Sequence, residues 1–278
     1  MSDQLLIHDG KVTVTTAEGV VVERAESDFR DMLRREAVAP AQGALFPDGL
    51  KWIERRDGLV LVVHESPPHV RRLRWIAPDS PERCGPGTTY RHVRLSLPHS
   101  VIFAMYYAHG DTLVLSDANE LYFSNRPILN QSDRVCYPAL LNLSKIPGHN
   151  RQRAWICTQH LRRRSTSSWT TQLHDLWEHT WNGAFNDSSM KHEGADWYHE
   201  SHAVPRLHPV EEWDRASREN DAFALTVPWL PVPQTVGEIV EAMFAEQQTL
   251  PMPSFHRRHA PKSPSLIARF LSFAQKSK

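Results

Sequence analysis

Between Lys51 and Phe123 the chain runs through a series of short apolar and β-branched segments whose connections are mostly too brief for parallel pairing. Lys51–Glu54 and Leu59–Val63 flank Asp57–Gly58, a hairpin signal. Val70–Ile76 mixes basic and apolar residues, and a loop over 77–88 follows, with three prolines and two glycines. Tyr90–Leu95, Val101–Tyr107, Thr112–Leu115 and Glu120–Phe123 read as further strands, with Gly110–Asp111 marking another turn. Parallel strands need crossovers of a dozen or more residues, so this block is expected to be antiparallel.

Upstream, residues 4–24 read as two short strands around turns, with Val12, Val14 and Thr16 alternating with Thr13 and Thr15. Ser27–Glu36 reads as a helix capped by Ser27, with Phe29, Met32 and Leu33 on one face. Past residue 136 the period changes from 2 to 3.6. Thr170–Phe185 sets Leu173, Leu176, Trp177, Thr180, Trp181 and Ala184 on one helical face. Residues 187–209, polar and rich in histidine, read as a loop, and Pro209–Asn220 as a short helix opened by proline. Val227–Pro233 is an aromatic segment bracketed by prolines. Thr235–Glu246 predicts a helix with Thr235 and Glu238 as a capping box and Val236, Ile239, Val240, Met243 and Phe244 on one side. A proline-containing linker over 249–262 carries Arg257, Arg258 and Lys262 around His256 and His259. Ser263–Pro264 then opens a last helix with Leu266, Ile267, Phe270 and Leu271 on one face. The reading is an α+β protein, an antiparallel sheet packed by helices over 1–204, with a helical C-terminal extension over 205–278.

Composition narrows the function classes. The 278 residues are 40% hydrophobic and 23% charged, ordinary values for a folded chain. Lys+Arg and Asp+Glu both number 32, so no global basic field points to nucleic acid or to a membrane. Cys84, Cys136 and Cys157 are an odd count without a CxxC, against a disulfide framework or a four-cysteine zinc site. A reducing cytoplasm is the expected compartment. Met1–Ser2–Asp3 does not open a basic region followed by a long apolar run, so no signal peptide is expected. The longest apolar run, Val101–Ala108, is far short of a membrane span.

Candidate chemistry centres on Cys136, which follows the turn Pro127–Ile128–Leu129–Asn130 and a short polar loop. An exposed thiol near positive charge is reactive, and Arg126 and Arg134 are close in sequence. Asn130 can donate its amide to an oxyanion. The opposing reading is a buried cysteine between Val135 and Tyr137, since free Cys is commonly buried. His192, Glu193, His199 and His202 share one loop, as metal ligands or as a solvated polar stretch, but they match no HExxH pattern. His174 and His179, five apart, do not share a helical face. Arg162–Arg163–Arg164 suits an acidic partner, a phosphate or a solvated helix end. With no P-loop, GxGxxG or GxSxG, nucleotide and serine-hydrolase chemistry have no local support, and no cofactor or metal is expected.

The order of these pieces carries a resemblance. Leu97–Pro98 leads into Val101–Ile102–Phe103, then come Leu121–Tyr122, Pro127–Ile128–Leu129–Asn130, Val135–Cys136, and a helix with Trp177, Trp181 and Phe185. This resembles the ubiquitin-conjugating architecture, and more closely the prokaryotic ubiquitin-conjugating-like family D, the PRTRC system protein B-like group, over residues 90–190. The resemblance implies that Cys136 carries a ubiquitin-like modifier as a thioester and that Asn130 stabilises the oxyanion during transfer. It implies as partners the modifier, its activating enzyme and a JAB-type protease of the same bacterial system. The chain departs from the pattern in lacking a His-Pro-Asn tripeptide, in placing Asp133–Arg134 where an acidic residue and glycine are usual, and in a slightly short loop before Cys136. A non-catalytic scaffold of the same fold in a plasmid or mobile-element complex is the alternative. A metal-dependent hydrolase built on the histidine loop is the third reading.

Overall fold

A computed structural model of the chain describes residues 4–15, 19–29, 48–82, 86–109, 112–140, 143–144, 152–158, 161, 168–185 and 196–249. Asp57 and Gly58 take φ values of 45° and 80°, the paired positive angles of a two-residue hairpin turn. They join β4 (Leu50–Arg56) to β5 (Leu59–Ser66). β5 pairs along its length with β8 (His99–His109), and β8 with β9 (Thr112–Ser124), all antiparallel. Where the sequence suggests two strands over 112–123, one strand of 13 residues runs, with a register shift opposite it between Ala104 and Tyr106. The polar stretch in its middle is satisfied internally: Asn119 accepts from the Met105 N–H at 3.1 Å and donates to the Ser116 carbonyl at 2.7 Å.

β4 also pairs with β1 (Gln4–His8), which continues through β2 (Lys11–Thr15) to β3 (Val21–Ala25). The N-terminal segment therefore holds three strands where two were expected. Beyond β9 lie β12 (Trp155–Ile156) and β11 (Leu143–Ser144), so the spatial order is β11-β12-β9-β8-β5-β4-β1-β2-β3. A second sheet is inserted between β5 and β8. It is a hairpin of β6 (His69–Ile76) and β7 (Tyr90–Leu97), with β13 (Ala184–Phe185) parallel to β6. Its inward side buries Leu73, Trp75, Val93 and Leu95.

The amphipathic period over 170–185 becomes α1 (Trp169–Asn182), capped by Ser168, whose hydroxyl accepts from the Thr171 N–H at 3.2 Å. Leu173, Leu176, Trp177, Thr180 and Trp181 are buried, as the spacing implies. Gln172 joins them by accepting from the Leu115 N–H at 2.7 Å and donating to the Leu113 carbonyl at 2.6 Å. The histidine-rich segment expected to be a loop contains α2 (Asp196–Ser201). Trp197 and Tyr198 are its buried anchors, two aromatics whose signal is lost among polar neighbours.

α3 (Val210–Glu219) covers the free edge of β7. The Arg94 N–H reaches Asp214 at 2.8 Å, the Ser96 N–H reaches the Ser217 hydroxyl at 2.8 Å, and the Trp213 indole donates to the Ser96 carbonyl at 3.1 Å. An open strand edge is an aggregation hazard, and these three bonds remove it. β14 (Pro231–Thr235) pairs with β10 (Arg134–Cys136), which in turn pairs with β9. α4 (Val236–Thr249) starts with the expected capping box: the Thr235 N–H donates to Glu238 at 2.8 Å and the Glu238 N–H to the Thr235 hydroxyl at 3.3 Å. Its apolar side, Val236, Ile239, Val240, Met243 and Phe244, is buried. Arg56 bridges Glu54 on β4 and Glu241 on α4.

The protein is thus α+β, with a large, mostly antiparallel sheet and a few helices. Of the helix expected over 27–36, residues 26–29 are helical and the rest lies outside the described residues. Cys84, Arg162–Arg163–Arg164, His192, Glu193, the basic cluster near 257–262 and the last expected helix also lie outside them. Among the described residues no helix is long and apolar enough to cross a membrane.

Candidate functional site around Cys136

The loop between β9 and β10 is tied down by carboxylates. Glu65, buried on β5, accepts from the Ile128 N–H at 2.6 Å. Asp133 accepts from the Leu129 N–H at 2.7 Å and the Asn130 N–H at 3.0 Å. Three successive backbone donors are therefore spent on two acids, which fixes the proline turn without regular structure. Glu65 itself is held by His99 at 2.9 Å and by Lys51 at 3.8 Å. Gly49 lets β4 approach it: with φ at +93°, an added Cβ would lie 2.0 Å from the Glu65 carbonyl oxygen. On the far side the loop docks on the start of α4, through Val236 N–H to the Asp133 carbonyl at 2.8 Å and Gly237 N–H to the Gln131 carbonyl at 2.9 Å.

Asn130 is exposed. Its side-chain oxygen accepts from the Ser132 N–H at 3.0 Å and from the Ser132 hydroxyl, an Asx turn that orients the amide. It borders a cavity of about 10 Å³ with Leu6, Ile7, Trp52 and Val236, at the lower limit for one water. Cys136 does not border that cavity, and no hydrogen bond joins the two residues. About 7 Å of strand rise separates Arg134 from Cys136, which carries the thiol away from the turn.

Cys136 lies opposite Phe123 on β9 and Pro231 on β14, and the next residue's N–H donates to the Leu230 carbonyl at 2.9 Å. It is half-buried and free. Burial pushes its thiol up from 9.0 to about 11. Neither nearby arginine counters this. Arg126 pairs with Asp133 at 3.5 Å, and Arg134 acts on Glu238. Tyr137 stacks on Trp197 with ring centroids 5.3 Å apart and planes 3° from parallel. Ala139 holds φ at +50°, an uncommon value for a residue with a Cβ. Cys157 is half-buried as well.

These values set an expected alkylation profile. Two pH units leave about a hundredfold less thiolate at neutral pH than in an ordinary cysteine. Iodoacetamide modification of Cys136, followed by peptide mass spectrometry, should therefore climb most steeply between pH 9 and 11. A plateau reached by pH 8 would mean that a neighbouring group activates the thiol.

The other candidates are dispersed. His199 and His202 sit at the end of α2, and His202 stacks on His208 at 4.2 Å. Burial, aided by His202, pushes His208 down from 6.5 to about 4. Among the described residues no group of three or more His, Cys, Asp or Glu is placed to hold a metal ion. His179 donates to the Cys157 carbonyl at 2.7 Å, a structural use. The sequence reading passed over β14, which forms one wall beside Cys136. Val232, buried and second in the strand, was the available signal, hidden between Pro231 and Pro233. No protein-family model, curated protein or solved structure matches this chain.

Proposed function

We propose that this chain is a ubiquitin-conjugating-like protein of a bacterial modification system that accepts a ubiquitin-like modifier on Cys136. One observation carries the reading. Four neighbouring strands, β4-β5-β8-β9, form an antiparallel meander that hands the chain, through a proline turn anchored by Glu65 and Asp133, to a free thiol that is not fully buried. That order supports the resemblance to the ubiquitin-conjugating architecture drawn from the sequence, although here the β6–β7 hairpin is inserted and the sheet continues through β1-β2-β3 on one side and β12-β11 on the other. In the reaction, the Cys136 thiolate attacks the modifier's C-terminal thioester on the activating enzyme. A new bond forms from Sγ to the carbonyl carbon, and the activating enzyme's sulfur leaves and takes up a proton. Asn130, its oxygen held by Ser132, presents its Nδ2 to an oxyanion in the later transfer to an amine. The partners are the modifier, the activating enzyme and a JAB-type protease of the same system.

A second reading, a non-catalytic scaffold of the same fold, is favoured by the raised Cys136 thiol. It is also favoured by the lack of a hydrogen bond between Asn130 and Cys136, the Asn130 oxygen being taken by Ser132. One assay separates the two. The chain is incubated with a ubiquitin-like modifier, its activating enzyme and ATP, then run on gels with and without thiol. The conjugating reading expects a thiol-sensitive adduct that Cys136→Ser converts to a stable ester or removes, with the melting curve preserved. Asn130→Ala should leave charging intact and slow transfer to an amine. An activating enzyme that charges itself but never this chain leaves the scaffold.

A further inference from the structure

The β6–β7 hairpin turns one face inward and leaves the other open. Its register sets Arg72 opposite Arg94 and Arg74 opposite His92, so the outer face is a ladder of like-charged or chargeable pairs. Like charges placed directly opposite destabilise a sheet. Arg72, Arg74 and His92 are exposed and, with Trp181 and Asn182 from the end of α1, line an open hollow of about 450 Å³. That volume suits a small molecule rather than a single ion.

The charges around the hollow are not balanced alike. Arg71 pairs with Glu178 at 3.5 Å, Arg91 with Glu211, and Arg94 with Asp221 at 2.7 Å. Among the described residues, the two arginines in the hollow have no carboxylate partner. Arg74 donates to the Asn182 carbonyl at the C-terminus of α1, and its guanidinium lies 5.5 Å from the Tyr90 ring centroid. Arg72 and His92 have no hydrogen-bond or ion-pair partner among the described residues. Tyr90, 42% exposed, stands beside them. On this face of the hairpin, among the described residues, the positive charge without a carboxylate partner is thus gathered in one concavity, beside the neutralised Arg94. A guanidinium fork matches the oxygens of a phosphoryl group, and Arg is used where such planar recognition matters.

We propose that this hollow binds a small phosphorylated ligand, with Arg72 as the principal anchor and Arg74 and His92 as further donors. The confinement argues against a polynucleotide, which would require a positive stripe along its backbone. Arg94, neutralised by Asp221, interrupts any such stripe on this face. The inference is independent of the chemistry of Cys136.

The test is calorimetric titration of the full chain at fixed ionic strength with inorganic pyrophosphate, and separately with a single-stranded oligonucleotide. Wild-type protein should bind pyrophosphate saturably, with a Kd of about 1 mM or tighter. Arg72→Ala should weaken this at least about tenfold, and His92→Gln should weaken it less. Arg55→Ala, which removes the same charge from an exposed position on β4, should leave the affinity unchanged. Arg72 is exposed and has no partner among the described residues, so its removal should not lower the melting temperature, and His92→Gln supplies a second variant if it does. Absence of saturable pyrophosphate binding overturns the proposal. So does an equal loss in the Arg72 and Arg55 variants, or binding of the oligonucleotide alone.

Discussion

Replacing Arg153 with methionine should lower the stability of the protein by about 3–5 kcal/mol, the usual cost of stranding one member of a buried ion pair. Arg153 and Glu120 are 1% and 0% exposed. The guanidinium Nε donates to Glu120 at 2.5 Å and Nη1 reaches Glu246 at 2.9 Å. The second oxygen of Glu120 accepts from the Tyr122 hydroxyl at 2.6 Å. The cluster joins β9, the segment before β12 and α4, so it ties α4 to the main sheet. Methionine keeps most of the volume and removes the charge, which leaves Glu120 ionised in an apolar setting or forces it to take up a proton. The orphaned Nη2 of Arg153 shows that the present arrangement is itself imperfect. Adding Glu120→Gln to Arg153→Met should therefore recover much of the loss, because Gln keeps an acceptor for Tyr122 without a charge. Urea unfolding of the two variants and the wild type decides the matter. A loss below about 1 kcal/mol in the single variant would show that solvent reaches Glu120.

What could be read in the sequence was local. Asp57–Gly58 specifies its turn through two positive φ angles within one dipeptide. The Thr235–Glu238 box needs only three residues of separation, and the buried face of α1 needs only a period. Each of these is decided by interactions within a turn or two of chain. The features that escaped depend on distant partners. β14 carries two prolines, and becomes a strand because it needs to pair on one side only, with β10. The burial of Cys136 is set by Phe123 and Pro231, one from each neighbouring strand, so local polarity before the thiol suggested more exposure than it has. The Asn130 amide lies six residues from Cys136 in sequence, but Ser132 holds its side-chain oxygen and Asp133 holds its backbone N–H, so both are tied into their own turn. Arg72 and Arg74 were visible as basic residues two apart, and therefore on one side of a strand. That this side faces outward, opposite His92 and Arg94, required the hairpin register.

Acid should weaken the fold across a defined window because of His64. This residue is 8% exposed and has both ring nitrogens engaged. Nε2 donates to the Asp48 carbonyl at 2.8 Å, and Nδ1 accepts from the Trp177 indole N–H at 3.1 Å. Only the neutral ring with its proton on Nε2 satisfies both bonds, since a protonated Nδ1 would face the indole donor. Burial pushes its pKa down from 6.5 to about 4, assisted by the charge of Lys51 and opposed by Asp48. The unfolded chain binds a proton below about 6.5 while the folded chain resists until about 4, so stability falls as pH drops through that interval and levels off beneath it. At about 1.4 kcal/mol per unit, the full loss is roughly 3 kcal/mol. His208 shifts in the same direction and adds to the same window, although its greater exposure makes its share smaller. Glu211 and Glu241, held low by burial-opposed pairing with Arg91 and Arg56, contribute a loss in more acidic solution, as their carboxylates protonate. Urea unfolding at pH 7, 6, 5 and 4 should show this decline in the wild type. His64→Gln cannot titrate, so it should start less stable at pH 7 and lose markedly less between pH 6.5 and 4. Parallel curves for the two proteins would assign the acid sensitivity to other groups and remove His64 from the account.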